Sequence, residues 1–348
     1  MRDAGFAAWP HSLPPNRETQ GSRETLDMLT AFLFDERESE QVEDWRAALD
    51  GLADDQLLWL ALRGPTEDEV AALQEALELG DENANRLLEQ PSRASLVDAG
   101  ERMHVTLYAA AFENGEPVLA PLECALGRNW IVTAHSGKVE ILEEFRERAE
   151  GGGQVGALDA PSFVAAILEW IVGGYFRSFE AVESELEELD ASVMSSTPHD
   201  VSDDLARLVE LRRSIGTLRR ALAPHRDVVV ALAHPELDAL STERSAEKFA
   251  ALESRLTQAL VAAREAKEST FGSFDLLVAR IGQRTNDIVK VLTLVTVLLL
   301  PSTVLAGIMG MNFKVGLFNA AWLFWVVIAV MLSIALLVLS VARSRRWI

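Results

Sequence analysis

The chain has 348 residues, a net charge of −21 and a single cysteine. So negative a balance repels phosphate backbones and excludes nucleic acid as a partner, while it suits a protein that gathers cations or simply stays soluble. The lone Cys124 forbids an intramolecular disulfide and a multi-cysteine zinc site, and its apolar, strand-like surroundings read as those of a small buried hydrophobe.

Residues 1–25 mix Pro, Arg and Glu without the apolar core of a signal peptide, and are expected to form a flexible N-terminal tail. Residues 26–160 read as a cytosolic α+β or α/β domain. Thr30–Phe34, Gln56–Leu62, His104–Ala110 and Asn129–Thr133 are compact runs rich in β-branched, aromatic or other apolar residues, and are expected as strands. Glu67–Leu79 has helical spacing behind the cap signal Pro65-Thr66, and Gly151–Gly153 marks a linker. No phosphate-binding glycine loop, dinucleotide fingerprint, HExxH pair or nucleophile elbow is present, so the chain is not expected to be an enzyme and calls for no cofactor.

From residue 161 the pattern turns helical. Ser162–Val193 carries an amphipathic stripe, Thr197-Pro-His-Asp200 breaks it, and Leu205, Leu208, Leu211, Ile215, Leu218 and Leu222 mark a returning helix, giving a cytosolic helical hairpin over 161–235. Phe163–Tyr175 is apolar enough to suggest a membrane span. Its shortness, Glu169 and Gly173-Gly174 favour a buried cytosolic helix instead. No proline interrupts Glu236–Leu300, so one helix is expected from about Thr242 to Ile308, about 100 Å at 1.5 Å per residue, with Gly272 and Gly282 as the points where it would bend. Its cytosolic part, 236–290, reads as a stalk.

Val291–Ile308 and Ala320–Val341 are uncharged runs of 18 and 22 residues. A hydrocarbon core about 30 Å thick needs roughly 20 helical residues, so both are expected to span a membrane, as helices over 291–311 and 320–342. The short connection 312–319 enforces an antiparallel hairpin. Arg343, Arg345 and Arg346 in the tail 343–348 place the C-terminus, and with two spans the N-terminal region too, on the cytoplasmic side of the cell (inner) membrane.

The tripeptide Gly310-Met311-Asn312, at the outer end of the first of two C-terminal apolar helices, resembles the signature of the CorA-type divalent-cation transporter superfamily, which includes magnesium/cobalt channels and ZntB zinc transporters. Arg284–Thr293 resembles that family's stalk-to-membrane junction, and Leu299–Gly307 its proline-containing membrane segment. Arg212-Arg213, Arg219-Arg220 and Ala223–Asp227 are similar to its hairpin helix. The resemblance implies a CorA-like funnel, helical overall: an α+β cytosolic domain, a long helical stalk and a two-helix transmembrane hairpin. It further implies a homopentamer in the lipid bilayer that transports divalent cations such as Mg²⁺, Co²⁺, Ni²⁺ or Zn²⁺. Gly310, Met311 and Asn312 would form the selectivity filter, with five Asn312 side chains holding a hydrated ion through its waters. Asn286, Val289, Leu292, Thr296, Leu300, Thr303 and Gly307 would line the pore. Read without the resemblance, the Leu and Val residues face lipid or neighbours, Thr296 and Thr303 bond to carbonyls one turn back, and Asn312 caps its helix.

The outer loop departs from the acidic loop of the magnesium channels: Phe313–Asn319 has no carboxylate and carries Lys314 at the entrance. Met309 also stands where an aromatic residue is common in those channels. Both point to alternatives, a proton-coupled Zn²⁺ transporter of the ZntB branch or a non-conducting CorA-like membrane scaffold. The six histidines are scattered, and Glu183, Glu185, Glu187, Glu188 and Asp190 read first as a solvated helix face, so no metal-ligating residues are assigned.

Overall fold

The computed structural model describes residues 29–35, 39–89, 91, 93–98, 102–137, 139–140, 142–143, 146–147, 159–195, 201–233, 243–311 and 321–345. The tail 1–25, the Gly151–Gly153 linker and the Thr197–Asp200 break fall outside these residues.

Among the described residues seven strands form one sheet: β1 (Leu29–Phe34), β2 (Ser39–Val42), β3 (Leu57–Arg63), β4 (Ser95–Asp98), β5 (Met103–Glu113), β6 (Glu116–Leu126) and β7 (Trp130–His135). Their order is β2-β1-β3-β7-β6-β5-β4. Among the described residues only β3 and β7 run parallel, with Leu58 opposite Trp130 and Arg63 opposite His135; the other pairings there are antiparallel. β5 and β6 join through Asn114-Gly115, both at positive φ (53° and 83°), the geometry that a two-residue hairpin with right-handed strand twist requires.

Side chains alternate across the sheet, so it has two apolar faces. Phe32, Phe34, Trp59, Val105, Leu107, Leu122, Cys124 and Ile131 enter one core, and Ala31, Leu58, Leu60, Leu62, Ala125, Val132 and Ala134 enter the other. Three short helices cover the second face: α1 (Trp45–Asp50), α2 (Glu67–Ala76) and α3 (Asp81–Leu88). Thr66 begins α2 with a reciprocal capping box to Glu69, which satisfies two otherwise unpaired backbone donors. Helix α2 is shorter than the sequence pattern suggests: Glu78 adopts a positive φ of 50°, and a separate helix starts at Asp81.

The first face receives α4 (Ala160–Met194), whose N-terminal half is the apolar stretch read from the sequence as a buried helix. Phe163, Val164, Ile167, Leu168, Ile171, Val172 and Tyr175 are all fully buried. The Phe163 ring lies 5.3 Å from that of Trp59, whose indole N–H donates to Thr133 Oγ1 at 2.8 Å. Gly174 permits this approach, because a Cβ there would stand 2.7 Å from the Ala110 carbonyl oxygen. Helix α5 (Val201–Leu222) folds back beside α4, and α6 (His225–Ala233) lies against β4.

Helix α7 (Glu243–Gly310) runs 68 residues without a break, across both Gly272 and Gly282. Its first part is docked: Phe249, Leu252, Leu256, Ala259, Ala263, Ala266 and Leu277 are buried, and the helix packs on α4, α5 and α6. Beyond Leu277 its side chains are largely exposed. Helix α8 (Ala321–Ser344) packs against this distal part, and α7 and α8 are long and apolar enough to cross a membrane.

Candidate functional site

The distal part of α7, residues 286–311, presents two distinct faces. Leu294, Leu298, Pro301, Ser302, Leu305 and Met309 are half-buried, three or four residues apart save for the adjacent Pro301 and Ser302, and form the stripe toward α8. Asn286, Val289, Leu292, Thr296, Leu300, Thr303 and Gly307 are all exposed. At about 100° per residue these seven centre roughly 180° from the half-buried stripe. They therefore share one side of the helix, the side turned away from α8, where Leu292 and Leu300 are 64% and 59% exposed.

The hydroxyls on this face are oriented by the helix itself. Thr296 Oγ1 donates to the Leu292 carbonyl at 2.8 Å and Thr303 Oγ1 to that of Leu299 at 2.9 Å; Thr293 and Ser302 do likewise on the flanks. The bond satisfies the hydroxyl proton and leaves oxygen lone pairs available outside, so both threonines present acceptors. Pro301 has no N–H and cannot bond the Val297 carbonyl, which loosens the helix locally. Gly307 and Gly310 have open space where a Cβ would stand, so the face is smooth near its end. There the backbone tightens, with Met311 N–H donating to Ile308 O at 3.2 Å, and Met311 is exposed. Asn312 and Lys314 lie outside the described residues.

The family described as CorA-like Mg²⁺ transporter protein matches residues 54–343. This chain belongs to that family. It is 24% identical over 303 residues to the cobalt/magnesium transport protein CorA of Methanocaldococcus jannaschii, spanning 85% of this chain and 92% of that protein. The solved structure of that CorA superposes with a TM-score of 0.75 at 22% identity, covering 92% of this chain and 99% of the other. The divalent cation transporter CmaX of Pseudomonas aeruginosa is 27% identical over 274 residues, 76% of this chain and 79% of that one. The cytoplasmic domain of ZntB from Vibrio parahaemolyticus matches at a TM-score of 0.56 and 12% identity, over 73% of this chain and 98% of that domain. The α/β domain, the long helix and the two apolar C-terminal helices are thus the CorA fold.

Elsewhere in this CorA-like chain, the described histidines serve the core. His225 is buried, its Nδ1 facing the carbonyls of Ala221 and Leu222 and its Nε2 accepting from the Tyr108 N–H at 3.0 Å. His104 Nε2 lies 2.6 Å from Glu123 Oε2, which also accepts from Thr106 Oγ1 at 2.7 Å. His135 Nδ1 donates to the Gly137 carbonyl, and burial lowers its pKa. Cys124 is buried, and burial followed by the nearby Glu123 charge pushes its thiol pKa up, so it is unreactive. In the acidic run on α4, Glu185 pairs with Arg207, and Asp190 accepts from Ser273. Partial burial, followed by the charges of Glu265, Glu180 and Glu187, raises the pKa of Glu183. Among the described residues, no three His, Cys, Asp or Glu side chains are placed to hold a metal ion.

Two features escaped the sequence reading. The carboxyl ends of the parallel strands β3 and β7 open into a crevice of about 310 Å³, with Arg63, His135, Ser136, Glu143 and Arg146 on its walls. Nothing in either segment announces a pairing across some seventy residues of chain. The other is a concavity of about 340 Å³ on α5, lined by Val209, Arg212, Arg213, Gly216 and Arg220; the doubled arginines were its visible sign.

Proposed function

We propose that this chain transports divalent metal cations across the cell (inner) membrane as a homopentamer, through a pore lined by α7. The observation that carries the reading is the uncharged exposed face of α7 opposite its α8 contact. A helix paired with a neighbour on one side and bearing threonine oxygens, glycine and an asparagine on the other suits a central axis. Five copies would align Asn286, Val289, Leu292, Thr296, Leu300, Thr303 and Gly307 around it. Membership of the CorA-like family supports this, as do relatives named for cobalt/magnesium and divalent-cation transport.

In this reading Gly310 and Met311 bring the chain to the outer mouth, where the Asn312 amides form a ring. Mg²⁺ dehydrates reluctantly, so a neutral amide ring would select it through its waters. Val289, Leu292 and Leu300 form apolar collars that close the path by dewetting, while Thr296 and Thr303 offer acceptor oxygens between them. The arginines after α8 hold both termini in the cytoplasm. The cation is cargo, and no resident cofactor is invoked.

Lys314 favours a second reading within the fold, in which the chain carries Zn²⁺ with proton coupling or has lost conduction. Metal uptake into proteoliposomes holding the purified protein separates these, comparing Mg²⁺, Co²⁺, Ni²⁺ and Zn²⁺ with and without a pH gradient. Mg²⁺ flux without a gradient, lost in Asn312→Ala, is the expected result. Gradient-dependent Zn²⁺ flux would move the chain to the zinc branch, and silence for all four from intact oligomers would sink transport.

A further inference from the structure

Among the described residues, the concavity on α5 is lined by three arginines and no carboxylate, in a chain with 53 acidic and 32 basic residues. Two of the three are held in place. The Arg212 guanidinium lies 5.3 Å from the ring centroid of Phe271 on α7, a cation–π contact that fixes it without neutralising it. Arg220 folds back along its own helix: its Nη2 donates to Thr217 Oγ1 at 3.0 Å, and its Nη1 lies 3.4 Å from where a Gly216 Cβ would stand. Arg213 has no hydrogen-bond or ion-pair partner among the described residues. By contrast Arg207, on the same helix, is paired with both Glu185 and Glu210.

The three arginines lie on the exposed face of α5, and pairing with carboxylates does not account for their grouping there. Arg219 and Arg220 complement the negative C-terminal end of α5, but Arg212 and Arg213 lie two turns earlier, beyond the reach of that effect. Gly216 is the poorest choice for a helix interior other than proline, yet it forms the floor between the arginines. A glycine there lets a ligand approach the backbone, as a larger residue would fill the space. Guanidinium groups without a carboxylate partner, two of them held beside a small floor, match a tetrahedral oxyanion, which accepts from several N–H forks at once.

We propose that Arg212, Arg213 and Arg220, over Gly216, form a binding site for a phosphate-bearing small anion. The site is separate from the α7 face and does not depend on whether the chain conducts ions. A dianion or polyanion fits better than a single carboxylate, because three guanidinium charges face one concavity. The volume of about 340 Å³ holds more than one phosphate group, at the lower end of small-molecule sites.

The test is calorimetric titration of the full chain in detergent with inorganic phosphate, pyrophosphate, sulfate and chloride at constant ionic strength. Saturable pyrophosphate binding is expected, weakened at least tenfold in Arg213→Gln and also in Gly216→Leu, which keeps every charge but fills the floor. Arg226→Gln, an exposed arginine outside the concavity, should leave the affinity unchanged. Equal affinity in all four proteins, or heat that chloride reproduces, would overturn the site. Loss of the assembled oligomer in Arg213→Gln, without saturable anion binding by the wild type, would also overturn it and assign the face to contact between copies.

Discussion

His225 joins α6 to the sheet, and its geometry sets a pH dependence that can be worked from the structure. Nδ1 donates to carbonyls at the end of α5, and Nε2 accepts from the backbone of Tyr108 on β5. That second bond requires a neutral ring. Burial lowers the His225 pKa from the ordinary 6.5 to about 4, against the smaller raising effect of the two backbone contacts. Between those two values the unfolded chain takes up a proton that the folded chain refuses. The stabilisation is therefore fully present above pH 6.5, falls as the pH drops toward 4, and levels off below it. At ~1.36 kcal/mol per pH unit, the gap between 6.5 and about 4 corresponds to roughly 3 kcal/mol. His225→Gln keeps an acceptor near the Tyr108 N–H but cannot titrate. Urea unfolding of both proteins, in detergent, from pH 7.5 to 4 would read the effect. All other titrating groups are shared, so the wild-type advantage over the variant should shrink by about 2–3 kcal/mol across that range. A gap that stays constant with pH would refute the reasoning.

Gly174→Ala should destabilise the protein by roughly 1–2 kcal/mol despite better helix propensity, because its Cβ would meet the Ala110 carbonyl and α4 would have to lift from the sheet. An unfolding midpoint that rises would contradict the close approach. Lys314→Glu should raise the apparent affinity for divalent cations at low salt and lose that gain as the salt is raised, read from concentration-dependent uptake into proteoliposomes; an unchanged curve would remove the loop from the entrance. Thr303→Val keeps the shape and removes the oxygen, so flux should fall several-fold with oligomer stability unchanged, while Thr303→Ser should retain flux. Equal flux in wild type and Thr303→Val would take this position out of the path.

The elements legible in the sequence were those whose pattern is local and long. The helical stripe from Ser162, the proline-free run that becomes α7 and the two uncharged spans all declare themselves through period and length. Short edge strands did not: Ser39-Glu-Gln-Val42 and Ser95-Leu-Val-Asp98 are too brief to show alternation, and pair only because a neighbouring strand offers an edge. The β5–β6 hairpin could have been read from Asn114-Gly115, a pair suited to two successive positive φ values. The order of the sheet could not, since β3 pairs with β7 across some seventy residues that hold β4, β5 and β6. At the candidate site, helix and spacing were visible, but a pore face belongs to an assembly of helices, so its residues were nameable only through a family likeness.

Helix α7 has one further consequence. It is a lever with one half clamped among α4, α5 and α6 and the other half free of the α/β domain, with no break in 68 residues to absorb a rotation. The free stretch from residue 278 to Gly310, about 50 Å long, turns a tilt of about 3° at the clamp into a displacement of about 2.5 Å at Gly310. Packing changes too small to alter the α/β core would thus be magnified at the far tip.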